Sequence, residues 1–291
     1  MILIDGRQTS AKIKEEIAAT VSQIKQQNQR VPHLAAVLVG MDGASMTYVG
    51  AKVRACEFVG FDSTLIELPE DTSERELLNQ IKALNNNPDI DGFIVQLPLP
   101  NHIDDQKILM TIAPHKDVDG FHPVNVGRLT LDLPTFISAT PYGIMELLER
   151  YDIPTSGKHV VVIGRSHIVG RPMSILMSQK RKAGNATVTI AHSRTENLAA
   201  ITKQADIVIA ALGIPEFLTA EMVKENAVII DVGITRVPDT SKKKGYRIVG
   251  DVDFQSVSKK ASHITPVPGG VGPMTIAMLL KNNLLAYHRN L

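Results

Sequence analysis

The sequence predicts an α/β protein of two domains, the second of them a Rossmann-like doubly wound parallel sheet. Segments with helical spacing alternate with short apolar strands in both halves of the chain, an order typical of parallel sheets covered by helices. The strands of the second half, such as residues 159–163, are continuous β-branched runs, as expected of strands buried on both faces. The length of 291 residues also exceeds the roughly 100–200 residues of a single domain.

The predicted elements rest on apolar residues that recur every three or four positions, or that form short uninterrupted runs. In the first half, helices are predicted over residues 9–27, 44–59, 73–86 and 104–113, with strands at 34–39, 63–68 and 92–97. In the second half, the pattern predicts strands at 159–163, 186–191, 206–211 and 227–232, with helices at 169–182, 195–204 and 219–226.

A turn-rich stretch near residues 114–141 separates the two alternating patterns. We therefore expect one domain over residues 1–139 and a second over residues 140–272. The last segment, 273–291, has apolar residues such as Ala277 at helical spacing. We expect this C-terminal helix to return to the first domain.

The composition excludes several functional classes. With 44% hydrophobic and 21% charged residues, the chain resembles an ordinary globular protein, and no apolar run reaches the roughly 18 residues that span a bilayer. A net charge of +1 provides no strong field for nucleic acid. The N-terminus has no secretory signal pattern, so we expect a cytoplasmic protein with no nucleic-acid and no membrane partner.

The single cysteine, Cys56, excludes an intrachain disulfide and a cysteine-based zinc site. It lies among apolar residues of a predicted helix, where a free cysteine is expected to be a small buried hydrophobic residue rather than a nucleophile. Histidine, aspartate and glutamate residues do not cluster with metal-ligand spacing. No metal site is therefore expected.

Residues 160–172 predict a buried strand, a tight turn and the start of a helix, the arrangement that binds dinucleotide phosphates. The glycines depart from the G-x-G-x-x-G spacing because Ser166 takes the middle position. Gly164 permits the turn, Ser166 is small enough for close phosphate approach and can donate a hydrogen bond, and Gly170 lets the helix pack closely. This context of strand, turn and helix favours a nucleotide site.

The next strand ends at His192 and Ser193, without the carboxylate that usually binds the ribose hydroxyl of NAD. A serine hydroxyl followed by the guanidinium of Arg194 fits a 2′-phosphate better, and Arg165 adds a second positive charge. These residues favour NADP as the cofactor. In the alternative interpretation, Ser193 or Thr195 only caps the following helix.

Tyr48 and Lys52 lie four positions apart and therefore share one face of a predicted helix. A partly desolvated lysine beside a phenol can have a lowered pKa and serve in proton transfer. Most such pairs, however, are ordinary surface residues. Gln96 ends a buried strand before two prolines, at the strand end where ligands of open α/β sheets bind, although an isolated strand-end amide would be interpreted as structural.

Two further segments are candidates for ligand contact. Residues 116–120 have the sequence Lys-Asp-Val-Asp-Gly, which by itself predicts a turn. Residues 265–275 are rich in proline and glycine and enter the last helix. This composition favours close approach of the backbone to a ligand over a simple linkage.

Five motifs, in order and across nearly the whole chain, resemble the methylenetetrahydrofolate dehydrogenase/cyclohydrolase family. They are the Tyr48/Lys52 helix, Val-Gln-Leu-Pro-Leu-Pro at 95–100, Lys-Asp-Val-Asp-Gly-Phe at 116–121, Gly164-Arg165-Ser166 with Val169-Gly170, and the 266–275 loop. The resemblance implies two α/β domains flanking a cleft, a homodimer, and the folate enzyme's two reactions. These are the NADP-dependent oxidation of 5,10-methylenetetrahydrofolate to the methenyl form and its hydrolysis to 10-formyltetrahydrofolate.

The resemblance also implies roles for individual residues. Lys52 would be the proton-transfer residue, Tyr48 would stack on and orient the substrate, and Gln96 would hold and tune Lys52. Asp119 would be the carboxylate that binds the pterin, whose adjacent N–H donors suit a bidentate acceptor. The residues implied at the NADP site are Gly164, Arg165, Ser166, Gly170, Ser193, Arg194 and Ile234, and further substrate contacts are Pro268, Gly269 and Thr275.

One segment departs from the family pattern, which often has Pro-Cys-Thr-Pro where this chain has Ser138-Ala139-Thr140-Pro141. The change removes a cysteine with no assigned chemical role.

Two alternatives stay open on the sequence. An NADP-dependent two-domain dehydrogenase of a small hydroxy acid, of the shikimate type, would not need Asp119. A catalytically silent nucleotide-binding protein would need neither Lys52 nor Gln96.

Overall fold

The structure of the protein is a computed structural model that describes residues 1–40, 43–242 and 244–290. These residues form two compact units. The first unit comprises residues 11–139 and 276–290, and the second unit comprises residues 1–10 and 140–275. Within the described part of the chain, no helix is long and apolar enough to cross a membrane.

Helices and strands alternate along most of the chain. In chain order they are β1 (Ile2–Leu3), α1 (Gly6–Gln26), β2 (His33–Val39), α2 (Gly43–Val59), β3 (Asp62–Leu68), α3 (Glu74–Asn86), β4 (Gly92–Val95), α4 (Asp105–Thr111), α5 (Pro123–Thr130), α6 (Ala139–Arg150), β5 (His159–Ile163), α7 (Gly170–Ser178), β6 (Thr187–Ala191), α8 (Leu198–Thr202), β7 (Ile207–Ala210), β8 (Val228–Asp231), β9 (Thr235–Pro238), β10 (Tyr246–Val249), α9 (Phe254–Val257), β11 (His263–Ile264) and α10 (Val271–Asn290).

The first unit is built on a parallel sheet with the strand order β3-β2-β4. The central strand β2 is buried along almost its whole length, whereas the edge strand β3 alternates between exposed and half-buried residues. Helix α3 begins with a capping box, in which Ser73 and Glu76 hydrogen bond to each other's backbone, and it buries Leu77 and Ile81 against the sheet. Gln96 follows directly after β4, at the carboxyl end of this sheet.

From Ile276 onward, helix α10 belongs to the first unit. The buried Asn282 Nδ2 donates hydrogen bonds to the carbonyl oxygens of Val118 and Ile137, each at 2.8 Å. These contacts link the helix to the segment that carries Asp119. The prediction that the C-terminal helix returns to the first domain is thereby confirmed, although residue 291 lies outside the described residues.

The second unit contains the parallel sheet β1-β11-β8-β7-β5-β6 and a separate antiparallel hairpin, β9-β10. Strands β5 and β7 are buried at almost every position, which explains their uninterrupted apolar sequences. The prediction of a doubly wound parallel sheet is confirmed. Because β6 and β7 flank β5 on opposite sides, the strand order reverses between β5 and β7, and such a switch point is where ligands of these folds bind.

Some elements differ from the predictions. Helix α5 lies within the stretch that was predicted as turns, helix α6 begins at the end of that stretch, and the hairpin β9-β10 was not predicted. The helix predicted over 219–226 is only the 3₁₀ turn Ala220–Met222, and Asn226 follows it with a φ of 61°, which a helix cannot accommodate. Helix α8 is shorter than predicted because Asn197 at its start is left-handed, with a φ of 51°.

The edges of the two units also differ from the expected domains. Strand β1 pairs with β11, so residues 1–10 lie in the second unit, and residues 273–275 lie there as well.

Cys56 is buried in α2, and burial raises the pKa of its thiol to about 12. The prediction of a small buried hydrophobic residue at this position is confirmed.

Candidate active site

Lys52 and Gln96 form a direct contact in the first unit. Helix α2 carries Lys52, whose Nζ donates a hydrogen bond to Gln96 Oε1 at 3.0 Å. Gln96 Nε2 in turn donates to the carbonyl oxygen of Leu97 at 2.7 Å, which fixes the amide with its oxygen toward the lysine. Burial lowers the pKa of Lys52, while the charge of Asp119 raises it. The lysine is therefore held in one orientation and is easier to deprotonate than a lysine in water.

Asp119 supplies the negative charge of this site. Burial raises the pKa of its carboxyl to about 6, although Lys52 lowers that pKa, and the nearby Asp117 raises it further. The Asp119 carboxylate is half-buried and accepts no hydrogen bond from the residues that the structure describes. Its oxygens are available to a ligand with N–H donors.

The turn that presents Asp119 is held by side chains that the sequence did not reveal as important. Asp117 Oδ2 accepts hydrogen bonds from His122 N at 2.8 Å and from Asn125 Nδ2 at 2.9 Å. The buried Lys116 Nζ donates to carbonyl oxygens at the end of helix α3, including that of Leu84 at 3.0 Å. Lys116 and Asp117 therefore support the turn, whereas Asp119 forms no hydrogen bond with the described residues.

Tyr48 lies one helical turn before Lys52 on α2 and is 47% exposed. A large aromatic side chain with this exposure beside a half-buried polar cluster provides a flat apolar surface for a ring. The first-unit site, defined as Tyr48, Lys52, Gln96 and Asp119, thus combines an aromatic surface, a lysine with a lowered pKa and an accessible carboxylate. The structure places all four predicted residues in one compact unit.

In the second unit, the turn after β5 has the close packing expected of a phosphate-binding turn. Gly164 has a φ of 131°, and a Cβ atom there would lie 2.2 Å from the carbonyl oxygen of Ala211. A Cβ on Gly170 would lie 2.2 Å from the carbonyl oxygen of Gly164. Ser166 Oγ accepts hydrogen bonds from Val169 N at 3.1 Å and from Gly170 N at 3.3 Å. Its hydroxyl proton remains available, so these residues fit a dinucleotide phosphate.

The residues predicted to contact a 2′-phosphate lie in the turn after β6. Ser193 and Arg194 are exposed there, and Arg165 is exposed in the turn after the neighbouring strand β5. Thr195 Oγ1 accepts a hydrogen bond from His192 N at 2.8 Å, whereas the cap of helix α8 is Asn197, which makes no side-chain capping bond. The alternative in which Ser193 or Thr195 caps that helix is therefore wrong.

Ile234 and the Pro/Gly loop lie next to each other in the second unit. Ile234 is 51% exposed after β8, and a Cβ on Gly272 would lie 3.2 Å from its Cδ1. In the same loop Pro268 is exposed and Gly269 is buried, and Thr275 Oγ1 donates to the carbonyl oxygen of Gly272 at 2.8 Å. Pro268, Gly269 and Thr275, the three further predicted substrate contacts, thus belong to the second unit, whereas the four residues of the first-unit site belong to the first.

Two buried carboxylates near this loop were missed by the sequence reasoning. Asp231 ends β8, and Asp251 follows β10, and both are almost completely buried. Asp251 directly follows Gly250, and Asp231 lies two positions before Gly233, each at the end of an apolar run. Aspartate close to glycine usually marks a turn, so no local pattern identifies these two residues as functional.

Two family models match the chain. The model described as tetrahydrofolate dehydrogenase/cyclohydrolase, catalytic domain, matches residues 4–119. The model described as tetrahydrofolate dehydrogenase/cyclohydrolase, NAD(P)-binding domain, matches residues 138–291. Among curated relatives, the bifunctional protein FolD of Flavobacterium psychrophilum is 70% identical over 286 residues, which cover 98% of this chain and 97% of that protein.

Solved structures give the same result. The bifunctional FolD methylenetetrahydrofolate dehydrogenase/cyclohydrolase from Campylobacter jejuni is 48% identical, covers 100% of both chains and superposes with a TM-score of 0.94. The Trypanosoma brucei methylenetetrahydrofolate dehydrogenase-cyclohydrolase, solved with NADP cofactor and an inhibitor, is 40% identical, covers 99% of this chain and 98% of its own, and has a TM-score of 0.93.

Proposed function

Because the chain belongs to the tetrahydrofolate dehydrogenase/cyclohydrolase family, we propose that it carries out that family's two consecutive reactions. It oxidises 5,10-methylenetetrahydrofolate to 5,10-methenyltetrahydrofolate and hydrolyses the methenyl form to 10-formyltetrahydrofolate. NADP, when bound, accepts the hydride that leaves the methylene carbon. The observation that supports the second reaction best is the 3.0 Å contact between Lys52 and Gln96, near the half-buried carboxylate of Asp119.

Asp119 anchors the pterin. A carboxylate that accepts no hydrogen bond from the described residues can accept two parallel bonds from the adjacent N–H groups of a pterin ring. Tyr48 provides an aromatic surface against the ring system. Together these contacts hold the one reacting carbon in a fixed position for both reactions.

Lys52 moves the proton. Loss of hydride from the methylene needs no proton transfer, because the flanking nitrogen lone pairs stabilise the cation that forms. Hydrolysis does need one, since the attacking water loses a proton and a ring nitrogen gains one before the carbon–nitrogen bond breaks. A lysine whose pKa is lowered by burial gives up its proton more readily than a lysine in water and can serve as that carrier. Gln96 keeps the Nζ of Lys52 in place.

In the second unit, the residues proposed to hold NADP are the glycines and Ser166 of the turn after β5, together with Ile234. Ser193, Arg194 and Arg165 are proposed to contact the 2′-phosphate. We assign folate binding chiefly to the predicted domain 1–139 with the helix 273–291, and NADP binding to the domain 140–272, with Pro268, Gly269 and Thr275 contributing to the folate site.

The active form is proposed to be a homodimer that works in the cytoplasm and supplies formyl groups for purine biosynthesis. Strand β6 supports a dimer, because it is the last strand at one edge of the second unit's sheet and its Ile190 is 41% exposed. Such an edge can pair with another chain. Light scattering coupled to gel filtration tests the dimer, and cell fractionation tests the location.

A spectrophotometric assay with 5,10-methylenetetrahydrofolate and NADP tests the two reactions. The expected result is a methenyl chromophore that appears with NADPH and then decays. The alternative of a small hydroxy-acid dehydrogenase of the shikimate type is set aside, because family models for the folate enzyme match both halves of the chain. Failure to form the chromophore would contradict the proposed dehydrogenase, and a chromophore as long-lived as without enzyme would contradict the cyclohydrolase.

A further inference from the structure

The carboxylates of Asp231 and Asp251 interlock inside the second unit. Asp231 Oδ1 accepts hydrogen bonds from Gly233 N at 3.0 Å and Asp251 N at 2.8 Å. Its Oδ2 accepts a bond from Val252 N at 3.1 Å. A Cβ on Gly250 would lie 1.8 Å from Asp231 Oδ2, so glycine is required where the two segments meet.

Asp251 holds a second turn. Its Oδ2 accepts hydrogen bonds from the backbone N–H groups of Leu212 at 2.6 Å and Gly213 at 2.9 Å. Its Oδ1 lies beside Gly233, where an added Cβ would approach it to 2.3 Å. Asp251 therefore touches both the turn after β7 and the turn after β8.

The turn after β7 borders the switch point between β5 and β7, and the turn after β8 follows the next strand on the same side. The carbonyl oxygen of Ala211, next to Leu212, packs against Gly164 in the phosphate-binding turn. Gly233 directly precedes Ile234, one of the proposed NADP contacts. The two carboxylates thus hold the turns after β7 and β8 through backbone N–H groups, on the β7 side of the switch point where a dinucleotide binds in this fold.

The arrangement is costly for folding. Burial raises the pKa of Asp231 to about 7, even though three backbone N–H groups lower it, and Asp251 raises it further. Neither carboxylate takes part in an ion pair among the described residues, and Asp251 Oδ1 is buried without a hydrogen-bond partner among them. Buried, unpaired acids of this kind are more typical of functional sites than of structural cores.

We propose that Asp231 and Asp251 form a positioning pair that sets the turns at 211–213 and 232–234 for binding NADP. The inference rests on the proposed function, because it assumes that NADP occupies this end of the second unit. The two aspartates act on the backbone that receives the cofactor and touch no reacting atom, so they are positioning residues.

The test compares Asp251→Asn and Asp231→Asn with the wild-type enzyme. Each change keeps the size of the side chain. Asp231→Asn replaces one acceptor oxygen by an NH₂ group that faces a backbone N–H, and Asp251→Asn removes the charge that strengthens two bonds. We expect the KM for NADP to rise about five- to tenfold in each variant. The cyclohydrolase rate, measured with methenyltetrahydrofolate and no NADP, is expected to stay within about twofold of wild type.

Asp206→Asn is the matched control. Asp206 lies in the same unit at the start of β7, and its carboxylate also accepts a backbone hydrogen bond, from His159 N at 2.8 Å. Asp206 lies at the amino end of the strands, whereas the cofactor binds at their carboxyl ends. The KM of the Asp206→Asn variant for NADP should therefore stay within about twofold of wild type. The dissociation constant of NADPH, measured by its fluorescence, gives the same comparison without the folate reaction.

The outcomes separate the two proposals. A wild-type enzyme that fails to oxidise methylenetetrahydrofolate contradicts the proposed function, and the NADPH dissociation constants still test the pair. The inference is wrong if neither aspartate variant weakens NADP binding more than Asp206→Asn does. It is also wrong if both variants lose the cyclohydrolase activity together with NADP binding, because the pair would then serve folding alone.

Discussion

Replacement of Lys52 by methionine should damage the cyclohydrolase far more than the dehydrogenase. Methionine keeps much of the unbranched length of lysine but cannot carry a proton. In the structure, Lys52 Nζ is held by Gln96 Oε1 at 3.0 Å, and burial lowers the lysine pKa. The substitution therefore removes an oriented proton carrier and leaves a half-buried apolar side chain in its place.

The expected magnitude differs between the two reactions. Loss of general acid–base help typically costs about 10²–10⁴-fold, and the cyclohydrolase rate should fall by that amount. The dehydrogenase loses only an indirect effect. The charge of Lys52 lowers the pKa of Asp119, which is about 6, so without the lysine more Asp119 is protonated near neutral pH and binds the pterin more weakly. We expect a loss below about tenfold near pH 7, and near-complete recovery at about pH 8.5.

The assay follows NADPH formation and methenyl decay separately, on purified protein, at both pH values. Lys82→Met is the control, because Lys82 is exposed on helix α3 of the same unit, and both of its activities should match wild type. Thermal unfolding establishes that each variant is folded. The reasoning is refuted if methenyl decay stays near the wild-type rate, or if both activities fall by the same factor and neither recovers at the higher pH.

Three further predictions concern the cofactor and the pterin anchor. The kcat/KM for NADP should exceed that for NAD by more than about tenfold. Arg194→Ser should lower this ratio, since a charge-assisted bond to phosphate is worth about 1.5–3 kcal/mol. Equal kcat/KM values for the two cofactors in the wild type would contradict a 2′-phosphate site. In the wild type, kcat/KM for the folate should fall as the pH drops through about 6, the pKa of Asp119. The Asp119→Asn variant should have a higher KM for the folate in both reactions, and its kcat/KM should no longer depend on pH in this range. An unchanged KM would show that Asp119 is only a turn residue. Asp119→Asn should also raise the Tm above about pH 6, because the folded state pays to bury an ionised carboxylate there, and the difference should vanish as the pH falls toward the ordinary aspartate pKa of 3.8.

The sheets were predictable because their strands carry their own signal. Strands β2, β5 and β7 are apolar at nearly every position and are buried on both faces, so their sequence leaves few alternatives. The four residues of the first-unit site could be named as candidates from the sequence, because each lies on a motif that the family resemblance covers. The contact between Lys52 and Gln96 was implied only by the resemblance and not by their spacing, since the two residues meet only when helix α2 packs beside the end of β4.

Other elements were missed because tertiary contacts decide them. Helices α5 and α6 contain glycine and begin with or near proline, residues that favour turns unless proline falls in the first helical turn. The strands of the β9-β10 hairpin have short sequences with exposed alternate residues, a weak signal for a strand. The Asp231–Asp251 pair joins segments that come together only in the fold, and no local pattern distinguishes it from two ordinary turns.

The environment of Lys52 shows why an amide, rather than an acid, is suited to position 96. Burial favours the neutral lysine and lowers its pKa, whereas Asp119 favours the charged lysine and raises its pKa. Gln96 orients the lysine through its carbonyl oxygen, and its own amide is fixed by the backbone of Leu97. A carboxylate at the same distance would hold Nζ equally well but would stabilise its charge. The neutral amide therefore provides orientation while leaving the lysine free to give up its proton, as the proposed role in hydrolysis requires.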